Sequence, residues 1–190
     1  AGEQVWDDVD ATDEGVTDLG SDNTIGYELT MSGITASASY ARMGLGTDNS
    51  LVLIADELVD GASFGIGSGT NVISNTSEDD LLTVWATYAT GPITAGVQLS
   101  EIDKTAANSD VDREAASLSF AVNENLSLSY GVSNVEYELS TKTDEESSGF
   151  SASYTMGSMT IGAVANKTDS LLGTAGTDRN FKEVSLAFAF

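Results

Sequence analysis

The sequence predicts an all-β protein, and within that class an antiparallel β-barrel that spans a membrane. Apolar and polar residues alternate with a period of two in segments of about ten residues. Tight turns and longer polar stretches alternate between these segments. No apolar run reaches the roughly 18 residues that a membrane helix needs, whereas a strand of about ten residues, tilted by about 45°, can cross a bilayer.

The composition excludes several classes of function. The chain has 190 residues, 41% of them hydrophobic, with 30 acidic against 7 basic side chains and a formal net charge of -23. Such a surface repels phosphate backbones, so nucleic-acid binding is not expected. Cysteine and histidine are absent, which removes disulfides, thiolate nucleophiles and the usual general base at neutral pH. One proline among 19 glycines suits β ladders, in which every N–H is needed.

About eleven strands are predicted from Asn23 onward. In each, one parity carries large apolar residues and the other carries Ser, Thr, Gly and Ala. The segments are TIGYELTMS, ITASASYA, LVLIADELV, ASFGIGS, LTVWATYA, ITAGVQLS, SLSFAV, LSLSYGV, FSASYTM, MTIGAVAN and FKEVSLAFAF. The third segment is the least regular, because its apolar residues fall on both parities.

The turns separate a membrane barrel from a soluble sandwich. Tight turns are predicted at Ser32-Gly33, Asp60-Gly61, Gly91-Pro92, Asn123-Glu124-Asn125 and Gly157-Ser158. Long polar loops are predicted at GLGTDNS, NVISNTSEDD, DKTAANSDVD, LSTKTDEESS and DSLLGTAGTDRN. Short periplasmic turns and longer extracellular loops are typical of outer-membrane barrels. An aromatic girdle at the periplasmic interface is predicted from Tyr88, Phe120, Tyr154 and Met156.

The end of the chain carries a more specific signal. Val184, Leu186, Phe188 and Phe190 share one face of the last segment. A terminal alternating strand that ends on Phe resembles the assembly signal of bacterial outer-membrane proteins. The whole chain resembles the C-terminal part of the 16-stranded general porins of alphaproteobacteria. This resemblance implies a homotrimer in the bacterial outer membrane that contacts lipid, passes small hydrophilic solutes, needs no cofactor and catalyses no reaction.

Two arrangements of the N-terminal residues remain open. A complete bacterial barrel has an even number of strands. Counting eleven strands back from Phe190 places residues 1–22 at the extracellular mouth, where they resemble the constriction loop of general porins. Residues 23–190 would then form the barrel strands, with five N-terminal strands absent. In the alternative, AGEQVWDDVD supplies one more strand and closes a barrel of about twelve.

Residues 1–22 also carry the predicted pore constriction. The acidic residues of this stretch are Asp7, Asp8, Asp10, Asp13, Glu14, Asp18 and Asp22. In a narrow pore they would enrich cations, and Glu28 and Glu101 could extend the negative field. The simpler interpretation is a solvated acidic loop. Ca²⁺ bound by Asp8, Asp10 and Asp13 is a further hypothesis, although the stretch lacks the Gly and the bidentate Glu of an EF-hand.

Two other interpretations are weaker. Gly61-Ala62-Ser63-Phe64-Gly65 matches a nucleophile elbow, but the motif needs a histidine partner and the chain has none. The second class of function is a soluble, secreted, acidic β-sandwich or adhesin that binds Ca²⁺ or carbohydrate. The basic residues Arg42, Arg113, Lys167 and Lys182 are predicted near the extracellular strand ends, where they meet anionic lipid headgroups or line the mouth; surface residues reaching toward the headgroups are the preferred interpretation.

Overall fold

The computed structural model describes residues 24–43, 46–74 and 77–189 as one antiparallel sheet. Its strands are β1 (Thr24–Met31), β2 (Ile34–Met43), β3 (Gly46–Val59), β4 (Ala62–Ser74), β5 (Ser77–Thr90), β6 (Ile93–Lys104), β7 (Val111–Ala121), β8 (Leu126–Tyr137), β9 (Glu145–Met156), β10 (Met159–Asp169) and β11 (Arg179–Phe188). A 3-10 helix spans Leu171–Gly173. No helix in the described ranges has the length and apolar character needed to cross a membrane.

Each strand pairs with its neighbour in the sequence, from β1 at one edge to β11 at the other. Within the described residues, β1 pairs only with β2 and β11 only with β10. The predicted all-β antiparallel fold and the count of about eleven strands are confirmed.

All five tight turns form where they were predicted. Ser32 and Gly33 both have positive φ, 54° and 81°, as a two-residue hairpin turn requires. Gly61, Gly91 and Gly157 likewise occupy the left-handed region. In the remaining turn, Asn123 Oδ1 accepts hydrogen bonds from the backbone N–H of Asn125 (2.9 Å) and of Leu126 (3.0 Å). The side chain thus adds to the backbone hydrogen bonds of this turn, in which the Val122 N–H donates to the Leu126 carbonyl oxygen (2.8 Å).

At the end of the strands opposite the tight turns, the prediction of five long polar loops is only partly correct. The β6–β7, β8–β9 and β10–β11 connections are long, whereas GLGTDNS and NVISNTSEDD lie largely within strands β3, β4 and β5. Their polar residues are satisfied across the ladder. Asn49 Nδ2 donates to Thr70 Oγ1 (2.7 Å), and the Val72 N–H donates to Asp48 Oδ1 (2.8 Å). Polar composition was therefore a poor guide to where these hairpins end.

The irregular alternation predicted for LVLIADELV has a structural cause. The β3–β4 register shifts between Asp56 and Val59, which marks a β-bulge; because it adds two residues to β3, Val59 keeps the parity of Leu51 and Leu53. Before the bulge, Val52 occupies the same face as the buried Ser50 and is itself buried. Leu51 and Leu53 lie on the other face and are exposed. Apolar residues therefore occur on both parities of a genuine strand.

The pattern of exposure on the two faces of the sheet is the reverse of that in a soluble protein: large apolar side chains are exposed, and many polar ones are buried. We call outer the face that carries Ile93, Val97 and Leu99, and inner the face that carries Gln98 and Ser100. Large apolar side chains of the outer face are exposed, with Val184 at 78%, whereas Gln98 is only 7% exposed. Exposing one large apolar side chain to water costs about 1.5–3 kcal/mol. An outer face built in this way is stable when hydrocarbon surrounds it.

The outer face also changes character along each strand. Next to the tight turns it is apolar and aromatic, and toward the long connections it becomes charged or strongly polar. On six strands, two successive outer residues mark this change, the first near the tight turns and the second nearer the long connections: Leu82 and Asp80, Leu99 and Glu101, Ala116 and Glu114, Val132 and Asn134, Ala165 and Lys167, and Val184 and Lys182. Such a boundary is expected where an apolar band meets the headgroups. Tyr88, Phe120, Tyr154 and Met156 are exposed at the opposite border, as the predicted girdle requires.

The inverted faces lead to a test with two adjacent residues of β7. Leu118 is an exposed outer residue, and Ser117 lies on the inner face. We expect Leu118→Arg to destabilise the membrane-inserted protein by about 2–4 kcal/mol, because the cation would lie in hydrocarbon. Urea titration of the folded fraction in lipid vesicles measures the difference. Ser117→Arg is the matched control and should cost much less; equal losses for both variants would contradict the assignment of faces.

A second test concerns the hairpin glycines. Gly61 and Gly157 both have positive φ, 73° and 62°. A Cβ at Gly61 would lie 2.1 Å from the carbonyl oxygen of Ala89, whereas a Cβ at Gly157 would meet nothing within 4 Å. We expect Gly157→Ala to cost about 1–2 kcal/mol from the backbone conformation alone.

Gly61→Ala should cost clearly more, because it adds a clash with the backbone of β5. The same urea titration distinguishes the two variants. If Gly61→Ala were no more destabilising than Gly157→Ala, the close approach of this turn to β5 would be wrong.

Candidate functional site

The inner face of β5 to β10 lines an open cavity of about 700 Å³. Its wall consists mainly of small and polar residues, because each strand contributes its Ser, Thr, Gly and Ala parity to this side. The inner residues that line it are Trp85, Thr87, Gly96, Gln98, Arg113, Ala115, Ser117, Ser129, Gly131, Ser133, Glu145, Ser147, Gly149, Ser151, Asn166 and Thr168. This lining offers hydrogen-bonding groups to water and leaves space for solutes.

Hydroxyl groups on neighbouring strands hydrogen-bond in pairs along the inner face. Ser39 and Ser50 lie 2.6 Å apart, Thr83 and Ser100 2.7 Å, Ser129 and Ser151 2.7 Å, and Ser147 and Thr168 2.9 Å. Each pair occupies directly opposite positions of its ladder. A hydroxyl has one donor and two acceptor sites, so each pair keeps capacity for water. The wall is therefore both internally bonded and hydrophilic.

One aromatic side chain interrupts this polar wall. Trp85 lies against Gly65 of β4, where an added Cβ would be 2.2 Å from the indole Nε1. Gln98 is directly opposite Trp85 on β6, and its Nε2 donates to Ser100 Oγ at 3.2 Å. The absence of a side chain at Gly65 thus allows the indole to lie close to the barrel wall.

Two opposite charges lie on the cavity wall. Arg113 of β7 is paired with Ser100 and Val135 on the inner face, and its Nε donates to Ser133 Oγ (3.2 Å). Glu145 of β9 accepts a hydrogen bond from the Leu172 N–H through Oε2 (2.6 Å). Of the two placements predicted for Arg113, reaching lipid headgroups is wrong and lining the mouth agrees with the structure, because its parity in β7 is that of Ala115 and Ser117.

Two of the long connections pack against each other beside Glu145. Thr143 N–H donates to the carbonyl oxygen of Gly173 (3.0 Å), and Lys142 Nζ donates to that of Leu172. The Lys142 ammonium also lies 5.4 Å from the centre of the Tyr137 ring. A Cβ at Gly173 would be 2.9 Å from this ring. The β8–β9 and β10–β11 connections therefore form a common surface at the mouth.

The predicted site residues fall into three groups. Glu28 faces inward, where it accepts a hydrogen bond from Ser37 Oγ (3.2 Å). Glu101 was predicted to face inward or to lie near the mouth. It pairs with Leu82 on the outer face, because it shares the parity of Leu99, so it does not face inward, and it lies toward the end of β6 that precedes a long connection. Val184, Leu186 and Phe188 lie exposed on the outer face of β11; their role as an insertion signal stays a prediction.

The third group lies outside the described residues. It comprises the predicted constriction residues Asp7, Asp8, Asp10, Asp13, Glu14, Asp18 and Asp22, with the Ca²⁺ ligands proposed among them, and also Phe190. Within the described ranges, no group of three or more acidic side chains is arranged to hold a metal ion.

Lys167 and Lys182 match their prediction as surface residues more closely than Arg113 does. Lys167 lies on the outer face and forms an ion pair with Asp169, with both side chains substantially exposed. Lys182 is paired with Ala165 on the same face. Both are placed to reach the membrane boundary.

Sequence reasoning missed the combination of Trp85, Gln98, Arg113 and Glu145. The alternation along each strand could have placed all four on the inner face. Each lies at a position that alternates with outward apolar residues or that has a Ser two or four positions away. Parity alone does not provide the register. The two-residue turn at Gly91-Pro92 sets the pairing of Trp85 with Gln98, whereas the pairing of Arg113 with Ser100 lies across the long β6–β7 connection, which does not fix a register.

Comparisons with known proteins agree with this geometry. Residues 4–190 match the family model described as Gram-negative porin. No match to a curated protein sequence was found.

Three solved structures show the same fold. A loop L8 deletion mutant of OmpT, an outer membrane protein of Vibrio cholerae, aligns with a TM-score of 0.70 and 18% identity, over 99% of this chain and 74% of that one. In-vitro folded OmpT of Vibrio cholerae aligns with a TM-score of 0.64 and 16% identity, over 89% of this chain and 65% of that one. The NanC porin aligns with a TM-score of 0.55 and 12% identity, over 88% of this chain and 92% of that one.

The chain thus spans about two thirds of the length of the OmpT structures. The family match covers almost the whole chain, and the fold matches come from proteins of the outer membrane. The chain is therefore an outer-membrane β-barrel protein of bacteria and belongs to the Gram-negative porin family.

Proposed function

We propose that this protein forms a water-filled channel through which small hydrophilic solutes and ions diffuse passively. The observation that carries the proposal is the cavity of about 700 Å³ on the inner face, lined by paired hydroxyls and small residues. Membership of the porin family supports the same function. A single sheet with an exposed apolar outer face favours a channel over the alternative of a soluble sandwich or adhesin. The protein needs no catalytic group for this activity.

The channel prefers cations. Carboxylates on the inner face of the described strands include Glu28, Asp48, Asp79, Glu145 and Glu183, against the basic Lys104, Arg113 and Arg179. The acidic residues of segment 1–22 add to this field, and they form the constriction. Acidic groups within a low-dielectric wall focus a negative potential and concentrate cations. Ca²⁺ binding by Asp8, Asp10 and Asp13 stays a separate prediction.

The chain forms the C-terminal part of a larger, trimeric barrel of the alphaproteobacterial general type. Within the described residues, one edge of β1 and one edge of β11 have no partner strand, and a membrane barrel cannot leave an edge unpaired in hydrocarbon. In this proposal, strands outside the described residues pair with these edges and complete the barrel. The extent of the OmpT structures beyond the aligned part is consistent with this proposal.

Selectivity is tested by the reversal potential of the purified protein in planar lipid bilayers across a KCl gradient. We expect the sign of this reversal potential to be that of a channel that passes K⁺ more readily than Cl⁻. Replacing Asp7, Asp8, Asp10, Asp13, Asp18 and Asp22 by Asn and Glu14 by Gln should lower its magnitude by about half, because the focused negative potential is weakened.

Glu124→Gln, in a tight turn at the opposite end of the strands, is the matched control and should leave the potential unchanged. A wild-type potential of the sign for anion preference would exclude the proposed selectivity. If the variant with all seven substitutions kept the wild-type reversal potential, the proposal that segment 1–22 forms the constriction would be wrong.

A further inference from the structure

The aromatic side chain on the polar wall is the feature that the diffusion function does not use. Trp85 is half-buried and lines the cavity. Its indole is pressed against the backbone of β4, since an added Cβ at Gly65 would lie 2.2, 2.4 and 2.8 Å from three of its ring atoms. A ring confined in this way offers a fixed apolar surface within a wall of hydroxyls.

Gln98 supplies a hydrogen-bonding group beside this ring. It occupies the position directly opposite Trp85, is 7% exposed and lines the same cavity. Its Nε2 donates to Thr83 Oγ1 (3.4 Å) and Ser100 Oγ (3.2 Å). Among the described residues, the other end of the carboxamide, Oε1, has no donor. A buried acceptor of this kind gains from a hydroxyl donor on a ligand.

The surroundings of the pair provide space and further polar groups. Thr87 and Ser117 border the same part of the cavity, on either side of Gly96. A Cβ at Gly96 would lie 3.1 Å from Ser117 Oγ and 3.5 Å from Thr87 Cγ2, so the absence of a side chain leaves open space between these two residues. The cavity of about 700 Å³ lies within the range of about 300–1,000 Å³ that is usual for small-molecule sites.

We propose that Trp85 and Gln98 form a subsite for neutral sugars on the channel wall. A pyranose ring has one face of C–H groups, which packs on an indole, and a periphery of hydroxyls that donate and accept hydrogen bonds. Trp85 meets the first requirement, and Gln98, Thr87 and Ser117 meet the second. The nearby charged groups, Arg113 and Glu145, are of opposite sign and favour no net ligand charge. The inference rests on the proposed function, because the sugar reaches this wall through the channel.

Binding is tested by fluorescence, with maltose as the probe. The chain has two tryptophans, so Trp6→Phe leaves Trp85 as the sole indole. In detergent solution, we expect maltose to change the Trp85 emission saturably and sorbitol, which lacks a pyranose face, to have little effect. Emission that does not respond to maltose, or that responds equally to sorbitol, would overturn the proposal.

The contribution of the ring is tested by calorimetric titration with maltose. Trp85→Ala should weaken binding about tenfold, and Trp85→Phe should weaken it less. Gly65→Ala retains the indole but displaces it, and should also weaken binding, which keeps the test valid if Trp85→Ala does not fold. Gly26→Ala is the matched control, because a Cβ there would have its nearest neighbour at 3.9 Å. Full affinity in Trp85→Phe and Gly65→Ala would contradict the assignment.

Bilayer conductance separates this proposal from the proposed function. If the protein conducts ions but maltose neither binds nor reduces the open-channel current, the subsite is wrong and the channel stands. If maltose binds with the predicted dependence on Trp85 but no conductance is found, the subsite is supported and diffusion through the channel is wrong.

Discussion

The structure depends on the requirement that every backbone N–H and C=O in hydrocarbon must have a hydrogen-bond partner within the protein. An antiparallel ladder satisfies this requirement for all strands except those at its edges. Once the ladder is fixed, side chains alternate strictly between two solvents. Lipid selects Leu, Val, Tyr and Phe on the outer face, and water selects Ser, Thr, Gly and Gln on the inner face. The low exposure of Gln98 beside the highly exposed Val97 and Leu99 follows from this single constraint.

The same constraint explains where apolar residues are buried. Among the described residues, Leu81 and Ile102, with Val111 against them, form a small cluster that packs on the inner face in the manner of a soluble core. Cross-strand hydroxyl pairs take the place of a larger core there, and they hold neighbouring strands together without filling the space that a solute needs. Small side chains therefore have two roles on this wall: they bond to each other, and they leave room.

Much of this organisation could be predicted from the sequence. The number of strands, their two faces and the five tight turns followed from alternation and from residues such as Gly33, Gly61 and Asn123 that permit unusual backbone geometry. The extracellular hairpin ends of β3 and β4 could not be predicted, because strands that extend into water need no apolar residues. Polar sequence such as that around Asp48 and Asn49 then resembles a loop.

The candidate site was less accessible to sequence reasoning. Arg113 was misplaced because a basic residue near a strand end suggests a membrane surface, although its parity places it inside. The pairing of Trp85 with Gln98 follows from the two-residue turn at Gly91-Pro92, but the pairing of Arg113 with Ser100 lies across a long connection, which does not fix the register. Residues across a tight turn could thus be assigned to one another, and those across a long connection only to a face.

The central claim is that lipid and water contact alternate residues of the same strands, and β6 allows it to be measured directly. Nitroxide spin labels at successive positions from Thr94 to Ser100, in the protein reconstituted into lipid vesicles, report collisions with lipid-soluble oxygen and with a water-soluble nickel complex. The account predicts high oxygen accessibility at Ala95, Val97 and Leu99 and low oxygen accessibility at Thr94, Gly96, Gln98 and Ser100, with a period of two. Uniform oxygen accessibility along β6, or high values at the second set, would contradict it.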